Sequence, residues 1–423
     1  MSTQEIRKAS TFAGWGYGWY WTINGGQDSP RLAWEGRPGT PLIDLPRTYG
    51  GGQGTWSDPY LIKTPEDLLI LCRYPEDWSK HFRLTADLDL RSVGNNFQPI
   101  GTPLVPFTGS FDGDGHKLKN LSLSRPREAF VGLFRNIARS AMPGQFMTGL
   151  VSNLTLESAQ VTGCFQVGTI AGLNGGTILS CAVQGSIRAD EMLGVLAGRN
   201  MRDALILSCQ SRCSVGLGGV SRPDGWFEVA GGLVGRNLGG LVIGSTVNGS
   251  VTGTNTIAGL VAENVTGLIY RCGAWVEADV AWWCGAGLVG TSAGGSIVGC
   301  LAKGKVKGLD LGGCICGSTN DRIESCYFQG ILDGYYIGGL VGGASGSSIR
   351  YCYSSAQIEH VPRAGGFARQ LDTSVRCRGP KSSGYICRPG WPDPCCPGKC
   401  LAGLPGAKGR RLGLYQHLGR EGW

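Results

Sequence analysis

A glycine-leucine phrase returns through most of this chain, and its spacing restricts the possible folds more than any other feature does. The clearest copy is Ile337-Gly338-Gly339-Leu340-Val341-Gly342, followed by Ile349 and then Tyr351-Cys352-Tyr353. Aligned on the residue before the leucine, the repeat falls at Gly132, Thr169, Val195, Gly232, Gly259, Gly287, Gly313, Gly339 and Gly366. The intervals are 37, 26, 37, 27, 28, 26, 26 and 27 residues, so two copies carry about ten extra residues and the rest keep one period. A fixed period of this size implies stacked structural repeats that share one core.

The period is not that of collagen. Glycine supplies 72 of 423 residues, yet Gly-X-Y order is missing. Each period holds three short apolar pieces separated by Gly, Asn or Ser: Gly-Leu-Val-Gly, Ile-x-x-Cys, and one like Gly304-Lys305-Val306-Lys307-Gly308. Short apolar runs without helical spacing fit strands, and three of them account for one turn of a parallel β-solenoid. The expected fold is therefore all-β: a right-handed parallel β-solenoid with ~27 residues per coil. Leu233, Leu260, Leu288 and Leu340 then form a ladder, with Leu133 near its start. Gly235, Gly290 and Gly342 share a corner that needs small size more than left-handed geometry, because Ala262 and Cys316 replace them.

The flanks differ from this body. Residues 1–48 contain Trp15-Gly16-Tyr17-Gly18-Trp19-Tyr20-Trp21 and read as a short β-rich plug, its rings packed rather than offered to sugars. Residues 49–128 read as a lead-in: Thr64-Pro65-Glu66-Asp67-Leu68 has the N-cap, first-turn proline and acids that open a helix running through Cys72. The repeats occupy 129–367. Residues 368–423, with Cys377, Cys387, Cys395, Cys396 and Cys400, lose the pattern and read as a disordered basic tail. That tail holds ten Lys/Arg against three Asp/Glu, so the +8 net charge falls to +1 before Ala368. A basic nucleic-acid footprint is missing from the repeats. No apolar run is long enough for a membrane helix, and the opening Met-Ser-Thr-Gln-Glu-Ile-Arg does not read as a signal peptide.

Six cysteines, Cys181, Cys209, Cys272, Cys300, Cys326 and Cys352, lie 12 to 14 residues after the repeat position. A disulfide or metal ladder is the alternative to buried small side chains, and parallel in-register strands favour the latter. Cys314-x-Cys316 lacks the second pair a zinc site needs. His81, His116, His360 and His417 form no catalytic or metal spacing, and Asp112, Asp114 and His116, like Asp87 and Asp89, read as turn chemistry rather than a cation site. Asp321, Arg322 and Glu324 are the densest charged set, read as a solvated turn rather than an active site; Trp275, Trp282 and Trp283 are read as packing on the flank, with stacking on sugar rings as the alternative. No catalytic, cofactor or metal residues are assigned.

The motif resembles the GLUG repeat, standing here as Gly232-Leu233-Val234-Gly235, Gly287-Leu288-Val289-Gly290 and Gly339-Leu340-Val341-Gly342, with degenerate copies at Ala171-Gly172-Leu173, Ala197-Gly198 and Ala258-Gly259-Leu260. Pro59-Tyr60-Leu61-Ile62 and Phe107-Thr108-Gly109-Ser110-Phe111-Asp112-Gly113 look like the segment preceding such arrays, and residues 10–35 like the close of an earlier array. The resemblance implies a bacterial extracellular or cell-surface protein, adhesin-like, with relatives in non-catalytic regions of immunoglobulin-A-cleaving metallopeptidases. It implies no enzyme and no cofactor. The expected function is a non-enzymatic surface scaffold for adhesion or ligand display, within a longer multi-array protein, with a glycan or protein as ligand. The alternative is a carbohydrate-binding or carbohydrate-active β-helix.

Overall fold

The computed structural model describes residues 48–378 apart from gaps, chiefly 95–96, 139–147, 218–227 and 360–362, and short pieces before residue 42. Each repeat is one coil of a parallel β-solenoid. The coil from Leu268 shows the plan. Leu268–Tyr270 lies in one sheet, Gly273–Val280 in a second, Cys284–Ala286 in a third and Val289–Ala293 in a fourth. Every coil adds one strand, a rung, to each of these, which we call the isoleucine, long, glycine and asparagine sheets. Among the described residues they hold 12, 11, 9 and 9 strands. The three apolar pieces expected per coil are thus four strands, because the Gly-Leu-Val-Gly piece straddles a corner instead of forming one strand.

Residues of one column stack directly. Ile178, Ile206, Val242, Ile269, Ile297, Ile323 and Ile349 are register partners and fully or almost fully buried. At the corner, Leu133, Ile170, Leu196, Leu233, Leu260, Leu288, Ile315 and Leu340 are all fully buried. Their backbones are tied rung to rung: Leu196 donates to the Leu233 carbonyl at 2.8 Å, Leu233 to Leu260 at 2.9 Å and Leu260 to Leu288 at 2.9 Å. Thr169 and Val195 fit the position before the ladder residue in two coils, but at Gly232 and Gly259 crowding requires glycine. A Cβ on Gly232 would stand 2.1 Å from the Gly259 carbonyl oxygen, and one on Gly259 equally close to that of Gly287.

One repeat position is displaced by a residue. Gly313 pairs with Ala286 and Gly338, one step before the corner, and Ile315 is the ladder residue of that coil. The corner residue itself is Cys314, which lies outside the described residues. The same slip affects Cys316, which pairs with Val289 and Val341, so Gly317 and not Cys316 matches Gly290 and Gly342.

The lead-in starts the core. Tyr60–Ile62 is the first rung of the isoleucine sheet, pairing with His81–Leu84, which pairs with Ser110–Asp112. Its outer edge is covered by the chain just before it: Gly50 donates to the Leu61 carbonyl and Leu61 to that of Gly51, both at 2.9 Å. Such cover removes a free pairing edge. Helix α1 (Pro65–Arg73) follows, capped by Thr64 and Asp67, each of whose side chains accepts from the other's backbone N–H. Leu68 and Leu71 of α1 enter the same buried cluster that runs on to Cys352. Before residue 42, Trp21–Ile23, Arg31–Leu32 and Thr40–Pro41 form a separate antiparallel sheet. Beyond residue 367, Ala368–Leu371 and Arg376–Arg378 add one further rung each to the asparagine and isoleucine sheets. Both ten-residue insertions fall within 139–147 and 218–227, outside the described residues.

Candidate functional site

The cysteine column marks a corner whose backbone is left-handed. The residue before it has φ between 52° and 66° in every coil from Asn153 through Ser180, Ser208, Gly244, Arg271, Gly299 and Ser325 to Tyr351. The six cysteines are free thiols, at most 5% exposed. Each thiol turns back to a carbonyl two residues earlier, as Cys300 does to Val298 at 3.3 Å. It also receives the N–H of the preceding coil, as Cys300 does from Cys272 at 3.5 Å. Leu154 opens the column, and Ser245, which replaces cysteine within it, does the same as the thiols, donating to Ile243 at 3.0 Å and accepting from Cys209 at 3.1 Å. The column is therefore a hydrogen-bonding plug as well as a small packed stack. Along the column the thiol pKa values shift in opposite directions: Cys181 is raised chiefly by burial and Cys300 chiefly by its hydrogen bonds with Cys272 and Cys326, while Cys209, Cys272 and Cys326 are lowered by the same thiol–thiol hydrogen bonds.

A second polar column was not anticipated. Asn174, Asn200, Asn237 and Asn264 are fully buried on the asparagine sheet. Each side-chain amide donates to the next side-chain oxygen at 2.8 Å, and Asn264 donates to Ser292 at 2.9 Å. Ser292 donates in turn to the Asp321 carboxylate, which also accepts the Gly295 N–H at 2.9 Å. Asp321 is thus not a solvated turn residue: it is 4% exposed, and burial raises its pKa despite these donors. Arg322 and Glu324 do form an exposed pair, at 2.8 Å.

The remaining candidate residues are already engaged. Asp112 Oδ1 accepts the Asp114 N–H and the Asn153 amide, each at 3.0 Å, as turn chemistry does. Asp87 pairs with Lys119 at 3.0 Å and His116 at 3.5 Å, and Lys119 holds its pKa down. Asp89 is held well below the usual carboxylate range by Arg91. His81 bonds to the Ser110 hydroxyl at 2.8 Å, and burial lowers its pKa. Residues 15–20, Trp282, His360, His417, Cys387, Cys395, Cys396 and Cys400 lie outside the described residues.

On the outer face of the long sheet, charged, amide and hydroxyl side chains line a concavity, with the exposed ring of Trp275 on the next rung of the Arg212–Asn248 column. Its strands are kinked where Gly185, Gly249 and Gly304 take φ of 156°, 149° and 131°. A Cβ on Gly185 would stand 2.0 Å from the Ala159 carbonyl oxygen, and glycine at this column alternates with Cys213 and the buried Val276. Arg212 and Asn248 rise on one side of that column, and Ser214, Ser250 and Glu277 on the other, around about 370 Å³. Trp275 continues the Arg212–Asn248 column by one rung, and Lys303 follows it. Trp275 and Trp283 are 39% and 41% exposed, so packing accounts for only part of each ring.

Residues 333–359, one full coil, match the family model of the GLUG motif. Halomucin of Haloquadratum walsbyi is 33% identical over 162 residues, 37% of this chain and 2% of halomucin. A protein of Evansella cellulosilytica described as a Gly-rich membrane protein is 31% identical over 143 residues, 32% of this chain and 16% of its own length. The chain therefore spans a small part of these relatives. A solved Bacteroides ovatus protein described as an immunoglobulin A1 protease overlays 68% of this chain and 80% of its own, at 20% identity and a TM-score of 0.49. That likeness is too loose to carry an argument about chemistry.

Proposed function

We propose that this GLUG-bearing solenoid is a non-enzymatic scaffold at the cell surface or outside the cell, one array of a longer protein, whose outward columns attach or display a ligand. The observation that carries the reading is the contrast between the two sides of the wall. The inward isoleucine column holds only Ile or Val from Ile178 to Ile349. The outward column Gln184, Arg212, Asn248, Trp275, Lys303 and Gln329 changes at every rung. Selection for stacking fixes the first, while the second is free to become a recognition surface. The similarity to halomucin and to a Gly-rich membrane protein supports the surface setting. No helix among the described residues is long and apolar enough to cross a membrane. A carbohydrate-active enzyme would instead bring acids together on one face. On the long sheet the acids stand beside bases instead of one another: Asp279 pairs with Lys307 at 3.7 Å, Glu359 with Lys305 at 3.5 Å, and Glu277 is the register partner of Lys305. Antibodies against the chain are expected to label intact cells of the source organism. Labelling that appears only after permeabilisation overturns the reading.

A further inference from the structure

We infer that the groove of the long sheet binds a linear polysaccharide bearing carboxylates, with a pyranose ring stacked on Trp275 and acid groups paired with Arg212 and Lys303. The inference rests on the scaffold reading and names its ligand class. Three observations carry it together.

The first is shape. Rungs repeat every ~4.8 Å along the solenoid axis, and the side chains flanking the groove repeat with them. The groove therefore suits an extended polymer lying across the strands better than a compact ligand. Arg212 and Lys303 are three rungs apart, ~14 Å at that spacing, with Asn248 and Trp275 between them.

The second is the ring. Trp275 stands on an exposed strand position beside Gly273, where a Cβ would come within 2.7 Å of the indole. The missing side chain lets the indole lie down over the backbone while 39% of the residue stays open to solvent. A flat apolar face beside polar neighbours is what the C–H face of a sugar packs against, while its hydroxyls need donors and acceptors at the margin. Asn248, Ser250 and Glu277 supply both.

The third is charge. Arg188 and Arg212 are exposed, and neither of these nor Lys303 pairs with an acid among the described residues. By contrast Lys305 and Lys307, on the same sheet, are already paired. Unpaired guanidinium and ammonium groups beside a stacking ring select an acidic polymer over a neutral one.

The test uses the purified full chain in affinity electrophoresis, with polygalacturonate or neutral galactan cast in the gel. Polygalacturonate is expected to retard the chain and galactan is not. Trp275→Ala should weaken the retardation roughly three- to tenfold, as loss of a stacking face does. Arg212→Glu should weaken it further, and raising salt should weaken it too. Ser214→Trp, which removes no proposed contact but fills the groove, should abolish it. Trp283→Ala, an exposed tryptophan off the groove, should leave it unchanged. Circular dichroism of each variant separates lost binding from lost fold. Equal mobility with and without polygalacturonate overturns the inference, as does equal retardation by galactan or full retardation of folded Trp275→Ala. These results concern the groove alone. Labelling of intact cells reads the scaffold proposal independently, so either can fail without the other.

Discussion

Ser245 shows what the cysteine column is for. A left-handed residue leaves a carbonyl two positions upstream of the column and an amide in the preceding coil, both out of reach of water. A small side chain that donates and accepts satisfies the pair, and serine does so with shorter contacts than cysteine. Cys300→Ser is therefore expected to unfold within ~1 kcal/mol of the parent, whereas Cys300→Val, of similar volume, should lose ~1–3 kcal/mol by stranding buried polar groups. Urea denaturation of both variants checks the ordering, and equal losses would return the column to simple packing. The column's position was legible in the sequence from spacing alone. Its hydrogen bonding was not, because a serine within a run of cysteines reads as an interruption. The left-handed residues were equally hidden: Arg271 and Tyr351 are not residues that announce such a turn.

At the scale of elements, ladders set the energetics. Leu288→Asp would bury a charge between the Leu260 and Ile315 corners, and the chain should fail to fold. A soluble variant with one cooperative transition would contradict the ladder. In the asparagine column, Asn237→Ala removes the acceptor of Asn200 and the donor to both Asn264 and Gly240. A loss of ~2–4 kcal/mol is expected in chemical denaturation, more than for an isolated hydrogen bond, because several buried partners are orphaned at once. Asp321 adds a pH dependence. Its folded pKa is raised by burial, so its contribution is full below the ordinary carboxylate value near ~4 and declines as pH rises through the folded value. Asp87 and Asp89, whose pKa values are lowered, act with the opposite sign at lower pH. Asp321→Asn should flatten the decline in unfolding midpoint from pH 4 upward while leaving the acid limb. The leucine ladder could be read from periodicity. The asparagine ladder, with the same rhythm, was overlooked because asparagine between short strands reads as turn chemistry. The slip at Gly313 has a similar origin: Gly312-Gly313-Cys314-Ile315-Cys316-Gly317 offers two glycine alignments, and only burial of Ile315 decides between them.

The whole molecule is a stack whose parts meet only their neighbours, so its length is adjustable in units of one coil. Removing residues 268–295, one coil of the 28-residue spacing seen between Cys272 and Cys300, joins Gly267 to Ser296, the register partner of Leu268. That deletion should leave a shorter, cooperatively folded chain by circular dichroism and thermal melting, whereas removing half as many residues should not fold. Outward chemistry was the least legible part of the sequence, since it depends on which side chains a kink brings to one face. Stacking has one more consequence, which is electrical. From Asn174 to Ser292 every side-chain donor points toward the C-terminal coils, so the local bond dipoles add instead of cancelling. The file opens on an acceptor, Asn174 Oδ1, receiving the Gly176 N–H at 3.2 Å. It closes on a carboxylate, a group that when ionised can only accept. The solenoid thus has a positive and a negative end inside its wall, and an acid at position 321 terminates the positive one as a helix N-terminus is terminated by an aspartate.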